Sequence, residues 1–323
     1  MKRTFYGAVF ATIAAPSALL AQDQCGEVSM AEMNWASAKI VVAASKFLLE
    51  QGYGCDVAVV PSDTTPAVTS LSENNEPDIV PELWPNSAGV VYDKLKQNGK
   101  IVELTSVLDP GGVEGWWIPS YLAEEHPELK TIEGILENPD LVGGMFNNCP
   151  DGWGCRIASD NLSRAFDLEG HGIEVFNHGS GETLATSMAS AFESKEPWFG
   201  YYWAPTTPLG KYDMVSVDLG DYDEESHAAN QNADNPDPKP SAFPTAPVLT
   251  IVTKEFSEKH PEETQLLTNI TFKTDTMSSL LAWQDENNAT AEEAAVYYLQ
   301  NNKDEWSSWL NDDAKEKLSA LLK

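Results

Sequence analysis

The sequence predicts an α/β protein of two lobes joined by two crossing strands. Three observations carry that prediction. Short apolar, β-branched runs alternate with helical periodicity along most of the chain, the pattern of a largely parallel sheet. Segments near residues 112 and 215 read as strands that leave one such region and return to it. Finally, 323 residues at 42% hydrophobic suffice for two cores of ordinary size. The first lobe is expected to comprise residues 22–112 together with 216–323, and the second residues 113–215.

Residues 1–21 read as a secretory signal. Lys2 and Arg3 precede an apolar run from Tyr6 to Leu20, and small Ala21 precedes polar Gln22. The run is too short and too alanine-rich for a membrane span, and no later segment is long enough for one, so no direct membrane insertion is expected. Ala36 to Gln51 has apolar residues at helical spacing and is predicted to stop at Gly52. Val57–Val60 then reads as a buried strand, Thr65–Asn74 as a helix, and Asp78–Trp84 as a strand running into a loop. Tyr92–Gln97 opens another helix and Ile101–Val107 another strand.

Glu114–Pro119 is the predicted outward crossing, followed by a short helix that stops before Pro127. A second βα rhythm runs from Leu141 to Phe199, and Gly200–Ala204 is a strand ending at Pro205. Met214–Leu219 is the predicted return. Asp221–Pro247 is a polar loop, Val248–Val252 resumes a strand, and the remainder is helical, ending with Lys315–Leu322.

Fifty acidic against twenty basic residues give a net charge of −30. Such a surface repels phosphates and anionic lipid, so nucleic acid is excluded as a direct partner and cationic ligands are favoured. Export makes the four cysteines candidates for two disulfides. Proximity pairs Cys149 with Cys155 and leaves Cys25 with Cys55. The acidic stretch containing Asp218, Asp221 and Asp223 offers oxygen ligands for a structural Ca²⁺, without the spacing of an EF-hand loop; no cofactor is otherwise required.

Catalytic signatures are missing from the sequence. There is no G-x-S-x-G elbow, H-E-x-x-H pair, Walker-type phosphate loop or G-x-G-x-x-G after a strand. The chain is therefore not expected to be an enzyme. The aromatic residues are more informative. Trp84, Trp153 and Trp203 each stand at a strand-to-loop junction beside Pro or Gly, Trp35 precedes the first helix, and Trp116 and Trp117 open the crossing strand. Indole faces at several loop mouths suit a cation that cannot donate ordinary hydrogen bonds, each face adding roughly 0.5–2 kcal/mol.

The segment Cys149-Pro150-Asp151-Gly152-Trp153-Gly154-Cys155, with Glu82-Leu83-Trp84-Pro85 and Tyr201-Tyr202-Trp203-Ala204-Pro205, resembles the substrate-binding proteins of glycine betaine-type ABC importers. The resemblance spans nearly the whole chain after the signal. It implies a two-lobed, type II-like periplasmic-binding-protein fold that closes on its ligand, and action as a monomer with an ABC permease of the inner membrane. It also implies that Trp84, Trp153 and Trp203 box a trimethylammonium group, while the N–H groups of Gly154 and Cys155 hold the ligand's anionic end.

Two departures bear on the ligand. Ala88 stands where such betaine binders can carry a histidine, leaving Asn86 or Ser87 to substitute. Ser37 stands where choline binders carry an aspartate after the tryptophan matched by Trp35. Glu114, at the crossing, would repel a ligand carboxylate but could share a proton with an N-oxide. This resembles the branch that binds trimethylamine N-oxide within four tryptophans. The fourth wall is expected from Trp117 or Trp116, only one of which can face the cleft on a strand, with Trp35 as the competing candidate. Trimethylamine N-oxide is the expected ligand, with glycine betaine, dimethylsulfoniopropionate or choline as alternatives.

Overall fold

A computed structural model describes residues 25–321. The predicted signal at 1–21 lies outside the described residues. Ten strands form one extended system: β1 (Gly26–Met33), β2 (Cys55–Ser62), β3 (Ile79–Leu83), β4 (Ile101–Pro119), β5 (Met145–Asn148), β6 (Glu174–Asn177), β7 (Gly200–Ala204), β8 (Met214–Ser216), β9 (Ala246–Thr253) and β10 (Phe272–Lys273). Their order is β2-β1-β3-β9-β4-β7-β5-β6, with β8 and β10 also paired to β4. The α/β prediction is met, with helices packed around both halves of the sheet system.

β4 joins those halves. Its first part pairs with β9 and β10, and its second part, from Val113, pairs with β7 and β8. Sequence reasoning divides this stretch into two strands around Asp109-Pro110-Gly111-Gly112; in the structure it is one strand whose register with β9 shifts between Leu108 and Gly112. Gly111 takes φ 126°, and a Cβ on it would stand 2.5 Å from the Ala246 carbonyl oxygen. The glycines therefore permit the irregular register and the close approach of β9.

β1 does not figure in the predicted elements. Its Val28, Met30, Ala31 and Met33 are buried in the first lobe's core, and it pairs in parallel with β2. Cys25 bridges to Cys55, tying the starts of these two strands, and Cys149 bridges to Cys155. The first helix, Ala36–Leu48, buries Ile40, Val41, Ala44 and Leu48 on one face, as its periodicity predicts. It continues as a wider turn through Tyr53, and Gly54 rather than Gly52 takes the left-handed conformation, at φ 77°. Gly52 instead packs against the Ala314 side chain.

The return crossing comes later than expected. Val217 donates its N–H to Trp116, Asp218 to Lys130, and Ile132 to Asp218, so this segment stays with the second lobe. The helix Glu224–Asn230, inside the expected polar loop, lies beside the helix Gly154–Ala165, where Asn161 donates to the carbonyls of Asn230 and Asn232. The chain re-enters the first sheet at Ala246, paired with Gly112, rather than at 216. The acids of this region have local tasks: Asp223 caps the helix Glu224–Asn230 through the Ser226 N–H, and Asp218 accepts the Gly220 N–H. Among the described residues, the one metal-sized grouping of ligand atoms is Cys25, Cys55 and Glu263, whose cysteines are bridged to each other; Asp218, Asp221 and Asp223 do not converge.

Candidate ligand-binding site

The Cys149–Cys155 loop leaves the end of β5 and turns into the helix Gly154–Ala165. Gly152 takes φ 88°, and its carbonyl accepts the Thr65 N–H of the first lobe at 3.0 Å. Trp153 occupies the position before the helix, and its indole Nε1 donates to Asn34 Oδ1 at 2.6 Å, again across the lobes. Gly154 lies so close to Ser87 that a Cβ on it would stand 1.4 Å from the Ser87 carbonyl oxygen. These contacts define a closed arrangement. The N–H groups of Gly154 and Cys155, at the start of that helix, have no acceptor within it and stand at its positive dipole end.

Four tryptophans converge on that loop. Trp84, at the end of β3, lays its ring over Gly112: a Cβ there would be 2.1 Å from Trp84 Cη2. Trp35 comes from the residue preceding the first helix, and Trp203 from β7. Trp153 meets Trp203 edge to face at 5.0 Å between centroids and 82°, and Trp35 at 5.6 Å and 73°. With Thr64, Ser87, Glu114, Gly154, Cys155 and Tyr201 they line one cavity. Its volume is about 30 Å³, where one water needs roughly 10–15 Å³. That suits a compact ligand of a few heavy atoms.

Glu114 is set opposite Trp203 by the β4–β7 register, so both side chains project to the same side. Its Oε1 accepts the hydroxyls of Ser87 and Tyr201, each at 2.7 Å, while Oε2 is buried and has no partner. Burial pushes the Glu114 carboxyl above the usual carboxylate range, against the pull of its two hydroxyl donors. Burial likewise raises the Tyr201 hydroxyl well above its ordinary value, with the Glu114 charge adding to the effect. None of the lining residues is basic. The cavity thus combines aromatic faces, one acid with a free oxygen and one helix N-terminus.

The structure brings Trp35, Trp84, Trp153, Trp203, Glu114, Gly154 and Cys155 together and leaves two expected residues elsewhere. Trp116 is wholly buried in the second lobe, against Phe146, Phe166 and Phe199, with its indole N–H on Ser159. It shares the Glu114 side of β4 but sits two residues deeper. Trp117 points the other way and donates to the Tyr202 carbonyl. Trp35 is the fourth tryptophan lining the cavity. Of the residues considered as substitutes at the Ala88 position, Ser87 lines the cavity, whereas Asn86 bonds the Thr245 carbonyl.

Tyr201, Thr64, Asn34 and Glu82 carry no role in the sequence reading. Glu82 accepts the indole N–H groups of Trp35 and Trp84 at 2.6 and 3.1 Å, and the Ser37 hydroxyl at 2.9 Å, all on Oε1. A signal existed for it: an acid inside Ile79-Val80-Pro81-Glu82-Leu83, a strand buried at every position, requires polar partners.

Residues 26–301 match the family described as the substrate binding domain of ABC-type glycine betaine transport system. Among solved structures, the chain superposes on lactococcal OpuAC in its closed-liganded conformation complexed with glycine betaine (TM-score 0.71, 19% identity, 88% of this chain and 100% of that one). It superposes similarly on an ABC-transporter choline binding protein in complex with choline (0.74, 20%, 93% and 99%). A third match is the glycine/betaine/L-proline-binding protein ProX from Borrelia burgdorferi (0.75, 18%, 92% and 100%). At these identities the superpositions establish the two-lobed binding-protein fold.

Proposed function

Because the chain belongs to the family of substrate-binding domains of ABC-type glycine betaine transport systems, we propose that it captures trimethylamine N-oxide for delivery to an ABC permease. In this reading the three methyl groups sit among Trp35, Trp84, Trp153 and Trp203, whose faces attract a cation that has no hydrogen to donate. The oxygen meets Glu114 Oε2 and the first-turn N–H groups of Gly154 and Cys155. Closure excludes water from the cation and assembles contacts from both lobes. The role calls for an exported, periplasmic protein; no helix among the described residues is long and apolar enough to cross a membrane.

The observation that carries this reading is the unpartnered, buried Oε2 of Glu114 in an aromatic cavity without a basic side chain. A ligand carboxylate would bring a full negative charge to that acid with no Lys or Arg to offset it. An N-oxide brings one strong acceptor oxygen, which a protonated Glu114 can satisfy. Glycine betaine is the second reading, supported by the helix N-terminus at Gly154, which suits a carboxylate.

Calorimetry against trimethylamine N-oxide, glycine betaine, choline and dimethylsulfoniopropionate tests the assignment. Trimethylamine N-oxide should bind tightest; betaine binding as well or better would reject it. Trp203→Ala and Trp153→Ala should each weaken the wild-type Kd by roughly tenfold or more, the loss of one desolvated face. Unchanged affinity in either variant removes that ring from the cage.

Acidity supplies a further test. Closure carries Glu114 from solvent into the interior, where burial raises its pKa. Binding then takes up a proton at any pH between the ordinary carboxylate range and the raised value. N-oxide affinity should therefore fall as pH rises through that window, approaching about tenfold per unit. Glu114→Gln, which donates without titrating, should flatten the profile. A wild-type profile that is already flat there would exclude the shared proton.

A further inference from the structure

Two walls of the cavity lean on a single buried atom. Trp35 and Trp84 reach Glu82 Oε1 from different elements of the first lobe, and Ser37 donates to the same oxygen. Glu82 is 1% exposed and its Oε2 has no partner. An oxygen that accepts three donors has no room for a proton, and a proton on Oε2 would find no acceptor. Burial pushes this carboxyl above the usual carboxylate range, against the pull of its three donors, so the charged form calls for a nearby countercharge. A cation held in front of the two rings would add the countercharge that the site otherwise lacks.

We propose that Glu82 is a positioning residue for the cation cage, fixing the faces of Trp35 and Trp84 and placing a negative charge behind them. The inference rests on the aromatic-cage reading above. An indole that donates to an anion becomes more electron-rich, so each ring attracts a cation more strongly than it would with a neutral acceptor. The charge also acts directly across a site from which water is excluded, where electrostatic interactions are screened less. Glu114 acts at the oxygen end of the ligand and Glu82 at its methyl end, so the two acids have separable effects.

The test compares Glu82→Gln, which keeps an acceptor for the indoles and removes the charge, with Glu82→Asp, which keeps the charge and shortens the reach. Wild type and both variants are titrated with trimethylamine N-oxide and with tetramethylammonium chloride, which has methyl groups and no oxygen. Glu82→Gln should weaken both ligands at least about tenfold, and Glu82→Asp should retain more affinity than Glu82→Gln, with similar unliganded melting temperatures. A role confined to hydrogen-bond geometry would reverse that order and overturn the proposal, as would wild-type affinity in Glu82→Gln. If Glu82→Gln fails to fold, Trp35→Phe, which keeps a ring and deletes the N–H, should weaken both ligands; unchanged binding there overturns the proposal too. A wild-type protein that binds neither ligand rejects the cage reading itself, whereas strong wild-type binding with indifferent variants rejects Glu82 alone.

Discussion

Gly154→Ala is expected to lower ligand affinity by about a hundredfold or more while leaving both lobes folded. The added Cβ would stand 1.4 Å from the Ser87 carbonyl oxygen and 2.4 Å from its carbonyl carbon. Both are backbone atoms, so no rotamer change relieves the overlap. Gly154 begins a helix of the second lobe, and Ser87 belongs to the short turn Pro85–Ser87 of the first. The conflict therefore exists only when the lobes meet, and the variant must remain open. Alanine is a better helix former than glycine, so the unliganded melting temperature should hold or rise slightly. Calorimetry gives the affinity, and small-angle scattering should show no ligand-induced contraction. Affinity close to wild type would mean that ligand capture does not require the loop to seat on Ser87.

Glu114→Ala is the second large effect, and its sign depends on the ligand. For trimethylamine N-oxide the change removes the acid that faces the oxygen and strands the hydroxyls of Ser87 and Tyr201. The stranded hydroxyls weaken closure on any ligand, whereas the N-oxide oxygen left without its donor costs about 1–3 kcal/mol more, a selective loss of roughly tenfold to a hundredfold. For glycine betaine the same change removes an acid beside the ligand carboxylate, and affinity should fall much less or improve. The quantity to measure is the ratio of the two dissociation constants. Equal losses for both ligands would show that Glu114 supports the cavity without selecting the ligand.

Much of the site is legible from local chemistry. Trp84, Trp153 and Trp203 stand beside Pro or Gly at strand ends, where a large aromatic has little reason to be unless it faces a cleft. The seven-residue cysteine loop with two glycines marks itself in the same way. Glu114 is visible as an acid at the crossing. Periodicity gives the side of a strand and not the depth along it, which is why Trp116 reads as a candidate wall. Trp116 projects to the same side as Glu114, yet it lies under the helix Gly154–Ala165 in the second core. Trp35 precedes a helix, and only the tertiary position of that helix brings its ring against Trp153.

The fold was less evenly readable. The alternation of strands and helices survives in the structure, but β1 carries Ser29 and Glu32 among its apolar residues and is recognisable chiefly by its pairing with β2. The late return at Ala246 depends on hydrogen bonds from Asn161 to residues far along the chain, which no local pattern reveals. Glu82 was hidden differently. Its position invites a question, but the answer lies in two indoles that are adjacent only after folding.

β4 belongs to both lobes without interruption and carries Glu114 where they meet. Tyr201 and Trp203 lie on its hydrogen-bonded neighbour β7, so these three side chains stay together however far the lobes part. Trp35 and Trp84 do not share that tether. A ligand would thus encounter a half-site that is already built and become enclosed only when the remaining walls arrive. Catching and keeping are divided between different residues: the strand pair governs how often an encounter succeeds, and the arriving indoles govern how long the captured molecule stays.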